Sequence, residues 1–282
     1  DGASIRANTG SVSFDRTVYP VPYAASIFKE HATSNGGTVQ YLPVGSVVVH
    51  ISIDDPDYDI SAFGEDSIAT AAGGVVSVKI SRGSTTSGEL MPTASVSILE
   101  TAPSSGIFEY DLTLASGVLS SSGTFASGAV INQGDIITVT YTDPQDASGK
   151  SQTVTDSSSF DLRNGTLQAD KSVYLIGSDM ILTLIEPDFD LDNDGAQSVG
   201  LNLIEWDSDA KTLGLDGQVS NTIDATDAAA FDPEPSELRE TGDSTGIFQV
   251  VIEIPETLGG DKLDRGEKID LEYTDWGPAG AD

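Results

Sequence analysis

Residues 47–59 read VVVHISIDDPDYD, and residues 180–195 read MILTLIEPDFDLDNDG. In the first stretch Val47, Val49, Ile51 and Ile53 alternate with Val48, His50 and Ser52. That period of two puts one face of a β-strand into a core and leaves the other half-exposed. In the second, a near-continuous apolar run over 180–185 leads into the five carboxylates Glu186, Asp188, Asp190, Asp192 and Asp194. The first run ends the same way, in Asp54, Asp55, Asp57 and Asp59, and Pro56-Asp57-Tyr58-Asp59 aligns with Pro187-Asp188-Phe189-Asp190. Acid therefore stands at the same point of a strand twice, which points to a structural or cation-binding role rather than to one catalytic site.

Outward from these stretches the alternation continues. Val76, Val78 and Ile80 mark one strand, residues 95–99 another, Phe108, Tyr110, Leu112 and Leu114 a third, and Ile137, Val139 and Tyr141 a fourth. A first strand is expected over 12–19, ending at Pro20 and Pro22, whose missing amide donors suit a strand end. Short helical turns are expected near 27–31 and 225–231. Period-two runs without long amphipathic helices predict an all-β chain of two packed antiparallel sheets, a sandwich.

The order of landmarks then repeats. Asp15-Arg16-Thr17-Val18-Tyr19 matches Asp170-Lys171-Ser172-Val173-Tyr174. Glu100-Thr101 with Gly106-Ile107-Phe108 matches Glu240-Thr241 with Gly246-Ile247-Phe248, and Tyr141-Thr142-Asp143 matches Tyr273-Thr274-Asp275. Duplication follows. The expected division is a sandwich over 1–149 carrying an N-terminal insertion loop, a hydroxyl-rich linker over 150–166, and a second sandwich over 167–282.

The chain has 282 residues, of which 38% are hydrophobic, enough for two cores. With 45 Asp plus Glu against 13 Lys plus Arg, its formal charge is -32. Such a surface attracts cations and repels nucleic acid. No cysteine is present, which excludes disulfides and thiolate chemistry. No apolar run approaches about 18 residues, so no direct membrane insertion by this segment is expected.

Asp190-x-Asp192-x-Asp194-Gly195 satisfies the first half of a calcium loop, but Leu201 stands where an EF-hand supplies its bidentate Glu. A sandwich can instead converge its loops on a hard cation. The candidate Ca2+ ligands are Asp55, Asp57, Asp59 and Asp143 in the first unit, with Asp54 beside them. In the second they are Glu186, Asp188, Asp190, Asp192, Asp194 and Asp275. The bland alternative is a solvated acidic face. Glu100 and Glu240 read as turn residues, and Tyr141 and Tyr273 as core or corner aromatics. His31 and His50 stand in no metal-binding or acid–base spacing and no catalytic motif is present, so no enzyme is expected. Asn164-Gly165-Thr166 is a glycan acceptor pattern.

The D-R/K-x-V-Y segments, the DPD and EPD strand ends, the ET…G-I-F segments and the Y-T-D strands together resemble the surface-layer (S-layer) proteins of ammonia-oxidising archaea. The resemblance spans both units, roughly 12–280. It implies immunoglobulin-like domains, an extracellular cell-surface location and metal-dependent self-association into a porous two-dimensional lattice. It also implies that this piece joins adjacent domains of a longer chain, and that an acidic coat concentrates cations such as ammonium. The alternative is an adhesin or carbohydrate-binding sandwich, for which Trp206 and Trp276 would stack on sugars.

Overall fold

Why the 47–54 run forms a strand is visible in its burial. In the computed structural model, which describes residues 7–24, 44–70, 74–92, 96–121, 123–219 and 222–275, Val47, Val49, Ile51 and Ile53 are fully buried while Val48, His50 and Ser52 are half-buried. The chain is all-β and falls into two units. Unit 1 holds Asp1–Pro22 and Ser46–Asp161; unit 2 holds Tyr23–Gly45 and Leu162–Asp282.

The strands of unit 1 are β1 (Ser11–Phe14), β2 (Val18–Pro20), β3 (Val47–Asp54), β4 (Ser67–Thr70), β5 (Val76–Arg82), β6 (Thr85–Thr86), β7 (Val96–Glu100), β8 (Ile107–Leu114), β9 (Ile136–Asp143) and β10 (Gln152–Asp161). They form two five-stranded sheets, in the orders β1-β3-β8-β7-β4 and β2-β10-β9-β5-β6. Two expectations change here. Residues 12–19 are not one strand. The chain breaks at Asp15–Thr17, so that β1 pairs antiparallel with β3 in the first sheet and β2 pairs parallel with β10 in the second. The Tyr19 hydroxyl donates to Asp15 across the break, and its fully buried ring stands 6.1 Å from both Phe14 and Phe160.

The second change concerns 150–166, expected as a linker. Most of it is β10, paired with β9 over eight residues and with β2 over three. Main-chain pairing orders this strand, so Ser and Thr serve where an alternation of apolar side chains was sought.

Unit 2 contains β11 (Thr166–Ala169), β12 (Asp179–Ile185), β13 (Ser198–Val199), β14 (Ile204–Asp207), β15 (Thr212–Gly214), β16 (Gln218–Val219), β17 (Thr222–Ile223), α1 (Ala225–Ala230), β18 (Glu234–Glu240), β19 (Ile247–Glu253), β20 (Thr257–Leu258), β21 (Asp261–Lys262) and β22 (Asp270–Tyr273). Its main sheet, β11-β12-β19-β18-β13, repeats the first sheet of unit 1 strand for strand. The second sheet is β15-β14-β22, with β16-β17 and β20-β21 as separate hairpins. The expected helical turn after Asp224 is α1, capped by that side chain on the amide of Thr226 at 2.9 Å.

Met180, Leu182, Leu184, Phe248 and Val250 from the main sheet bury against Trp206, Leu213 and Phe231. Trp206 is fully buried, its ring 5.2 Å from Phe231. It therefore cannot stack on a sugar. Tyr23 also joins this core, 6.3 Å from the Phe189 ring, and pairs with Gly45 through two main-chain hydrogen bonds. Tyr23 and Gly45, the described ends of the segment expected as an insertion loop of the first domain, thus fall in unit 2. The turn expected over 27–31, His31 and Trp276 lie outside the described residues.

Candidate functional site

The acidic strand ends are built alike in both units. After β3, Asp55 caps a 3-10 turn over Pro56–Tyr58, accepting from the Asp57 amide at 3.0 Å. After β12, Glu186 caps Pro187–Phe189 in the same way, accepting from the Asp188 amide at 3.2 Å. Proline in the first turn suits this geometry because its missing N–H would have no helical partner. The caps are fully buried, and each accepts a tyrosine hydroxyl: Asp55 from Tyr141, Glu186 from Tyr273 at 2.7 Å.

The remaining acids hold the strand that enters each unit. Asp143 accepts from the Gly10 amide and Asp275 from the Gly165 amide, both at 2.9 Å. Asp57 accepts the main-chain and side-chain N–H of Asn8 at 3.0 Å, and Asp188 accepts the Arg163 amide at 3.1 and 3.2 Å. Six of the ten proposed calcium ligands therefore form two clasps that spend oxygen lone pairs on main-chain donors. Gly10 and Gly165 were missed in the sequence; the signal was there, since each stands five residues before the Asp of the repeated D-R/K-x-V-Y segment. A β-carbon at Gly165 would lie 2.2 Å from Glu186 Oε2 and 2.6 Å from the Tyr273 ring, so only glycine lets the strand approach.

Enclosure shifts the acids. Burial raises the Asp55 carboxyl, and burial pushes Glu186 up to about 8, with Asp188 and Asp275 adding to it against the Tyr273 hydrogen bond. Burial also raises the Tyr141 and Tyr273 hydroxyls, so they remain donors. Unfolded glutamate titrates near about 4.3, so between there and the folded value of about 8 native unit 2 holds a proton that the unfolded chain releases. Stability of unit 2 accordingly falls as pH rises through that window. Glu186→Gln should match the parent near about pH 5 and exceed it near about pH 8.5 in urea midpoint. Parallel pH profiles for the two proteins would refute this.

The other four do not converge on one point with the clasps. Asp192 accepts the Asp194 amide at 3.0 Å, an Asx turn, and Gly195 does not adopt the left-handed backbone expected of a calcium-loop glycine. Asp190 accepts from Ser244 at 3.3 Å.

Among the described residues, the acids whose oxygens all lie within 4.8 Å of one another are Asp59, Asp66 and Glu100. Of these, the sequence reading named only Asp59 as a ligand. Buried Glu100 accepts the Asp66 amide at 3.0 Å and the Gly106 amide at 2.8 Å, and these bonds hold its carboxyl below the usual range. Asp66 accepts the Ile60 and Ser61 amides, both at 2.7 Å. Desolvation and then the Glu100 and Asp66 charges raise Asp59. At the equivalent place unit 2 has Asp190, Gln197 and Glu240. The Gln197 amide donates to Glu240 at 3.1 Å as Asp66 does to Glu100, and its side chain donates to the Asp192 and Gly195 carbonyls. A neutral donor thus replaces the third carboxylate.

His50 sits on β3 as expected, its Nδ1 2.8 Å from Asp111 on the neighbouring β8. No family model matches the chain, and none of the curated proteins matches it in sequence.

Proposed function

We propose that the chain is a structural segment of an extracellular, self-associating surface lattice of the S-layer type, built from tandem immunoglobulin-like sandwiches and supported by calcium. The observation that carries this reading is the clasp built twice. Two units solve the same problem, anchoring the incoming strand to both sheets, with the same residue types in the same order. A repeated mechanical element suits a load-bearing array. The strand orders support the immunoglobulin-like part, since β1-β3-β8-β7 and β2-β10-β9-β5-β6 correspond to A-B-E-D and A′-G-F-C-C′. Exposed Asn164 suits a glycan on an outer surface. The charge of -32 would enrich cations, ammonium among them, at any opening that such an array lines. Of the two tryptophans behind the carbohydrate-binding alternative, Trp206 is buried and gives it no support.

Calcium is assigned to Asp59, Asp66 and Glu100, an all-oxygen donor set of the kind that takes a hard divalent cation. Binding there would offset both the desolvation and the Glu100 and Asp66 repulsion that raise Asp59. Calcium at constant ionic strength should stabilise unit 1 against unfolding by about 2.7 kcal/mol at a hundredfold excess over Kd. Unit 2, followed by tryptophan fluorescence because both tryptophans lie there, should not respond. Asp59→Asn should abolish the effect, and electron microscopy should find calcium-dependent sheets. Equal midpoints with calcium and with chelator would remove calcium from the proposal; a monomer under every cation condition would remove the lattice.

A further inference from the structure

One pair of strands meets in the same register in both units. In unit 1, β5 lies against β9 with Val76 opposite Tyr141, Ser77 opposite Thr140, Val78 opposite Val139 and Lys79 opposite Thr138. In unit 2, β14 lies against β22 with Ile204 opposite Tyr273, Glu205 opposite Glu272, Trp206 opposite Leu271 and Asp207 opposite Asp270. The inward pairs keep their character. The outward pairs change from Ser–Thr and Lys–Thr to Glu–Glu and Asp–Asp.

Side chains directly opposite on one face of an antiparallel pair have β-carbons about 4.5–5.5 Å apart, and like charges there are destabilising. Two successive like-charged pairs therefore weaken the β14–β22 seam, and the β5–β9 seam has no such pair. There Ser77, in the place of Glu205, donates to Glu89 at 2.5 Å, so the nearby carboxylate meets a donor instead of a second charge.

The other flank of β14 adds more acid. Gly214 of β15 stands opposite Glu205 without a side chain, and Asp216 Oδ1 lies 2.7 Å from where its β-carbon would be. Thr212, opposite Asp207, donates its hydroxyl to that carboxylate. Lys268 pairs with Asp270 at 2.6 Å, but the two side chains are 81% and 57% exposed, so water screens the pair and it offsets little. Asp207, Asp270 and Glu272 are exposed, whereas Glu205 is half-buried. Burial pushes the Glu205 carboxyl up to about 7, with the Glu272 and Asp207 charges adding to it, and burial raises Asp216 as well.

We propose that the β14–β22 seam of unit 2 is a proton-operated joint. With a proton on Glu205 the facing pair exchanges repulsion for a hydrogen-bond donor and the seam closes; without it, β22 loosens from β14. Because β22 leads through Tyr273 to Asp275, the loosening reaches the clasp of unit 2, while unit 1 carries its clasp on a seam with neutral facing pairs. Unfolded glutamate titrates near about 4.3, so between there and about 7 the folded seam holds a proton that the unfolded chain releases. The joint is accordingly firm in acid and slackens as pH rises through about 7. The inference rests on strand register and does not depend on the surface-lattice reading.

Amide hydrogen exchange of the whole 282-residue chain, read by NMR as protection factors corrected for intrinsic rate, tests this between about pH 5.5 and about pH 8.5. Amides of β12 and β19 report the stability of unit 2 as a whole, including the titration of Glu186. The reading is therefore the ratio of protection in β14 and β22 to protection in β12 and β19. In the parent this ratio should fall at least about tenfold across the range, and in Glu205→Gln it should change less than about threefold. Glu205→Ser combined with Glu272→Thr copies the unit 1 pair and should be equally flat, which keeps the test open if glutamine is poorly accommodated. The corresponding ratio in unit 1, β5 and β9 against β3 and β8, should stay constant. A constant ratio in the parent would overturn the proposal, because pH would then act on unit 2 as a whole or not at all. So would a fall that survives in either variant, or an equal fall in the unit 1 ratio.

Discussion

Glu240→Ala is expected to cost unit 2 about 3–5 kcal/mol. This side chain is 3% exposed and holds the turn before β19 and the loop before β13 together. One oxygen accepts the amides of Thr245 at 2.6 Å and Gly246 at 2.7 Å, and the other accepts the Gln197 amide at 3.1 Å. Removing the carboxylate leaves several main-chain donors without acceptors, each worth about 1–3 kcal/mol where water cannot reach it. The turn has little freedom to adjust, because Gly246 is left-handed and a β-carbon there would already lie 2.9 Å from Pro187 Cα. Urea unfolding followed by tryptophan fluorescence reads the loss directly. Glu240→Gln should recover roughly half of it, since one acceptor oxygen survives. A loss below about 1 kcal/mol in the Ala variant would show that water replaces the carboxylate and that the turn does not depend on it. Glu100→Ala should produce the matching loss in unit 1, visible by circular dichroism and silent in tryptophan fluorescence.

Gly165→Ala is expected to destabilise unit 2 by about 2–4 kcal/mol. The added methyl would overlap Glu186 Oε2 at 2.2 Å and the Tyr273 ring at 2.6 Å. Neither can retreat freely: Glu186 is fully buried, capped onto the Asp188 amide and bonded to the Tyr273 hydroxyl. Gly10→Ala meets the same clasp at 2.7 Å from Tyr141 and 2.9 Å from Asp55, so its cost in unit 1 should be smaller. Thermal unfolding of both variants gives the order. If Gly165→Ala matched the parent, the clasp would be loose enough to admit a methyl group, and its role in anchoring the entering strand would fall.

Both predictions concern residues whose importance was only partly legible. Glu100 and Glu240 were recognisable as turn residues because they recur before a Gly-Ile-Phe segment. What they bind was not, since Asp66 and Gln197 lie 34 and 43 residues away along the chain. The acidic strand ends were legible as a repeated feature with a structural or cation-binding role; which donors they face was not. A carboxylate's position in sequence says nothing about which amides face it, and in the fold six of them face main-chain or tyrosine donors. The trio Asp59, Asp66 and Glu100 arises because β4 and β7 are neighbours, a pairing that no local pattern states.

The sequence by itself determined the β character of the chain, the duplication, and which faces of β3, β8 and β9 are buried. Side-chain alternation is a local property of a strand, and a repeated order of landmarks needs no structure to be seen. Only the tertiary structure decided that residues 12–19 divide between two sheets and that the hydroxyl-rich stretch 152–161 is a strand. Those outcomes depend on main-chain hydrogen bonds between segments far apart in sequence. Such bonds carry no side-chain signature, so they became visible only when the partners were side by side.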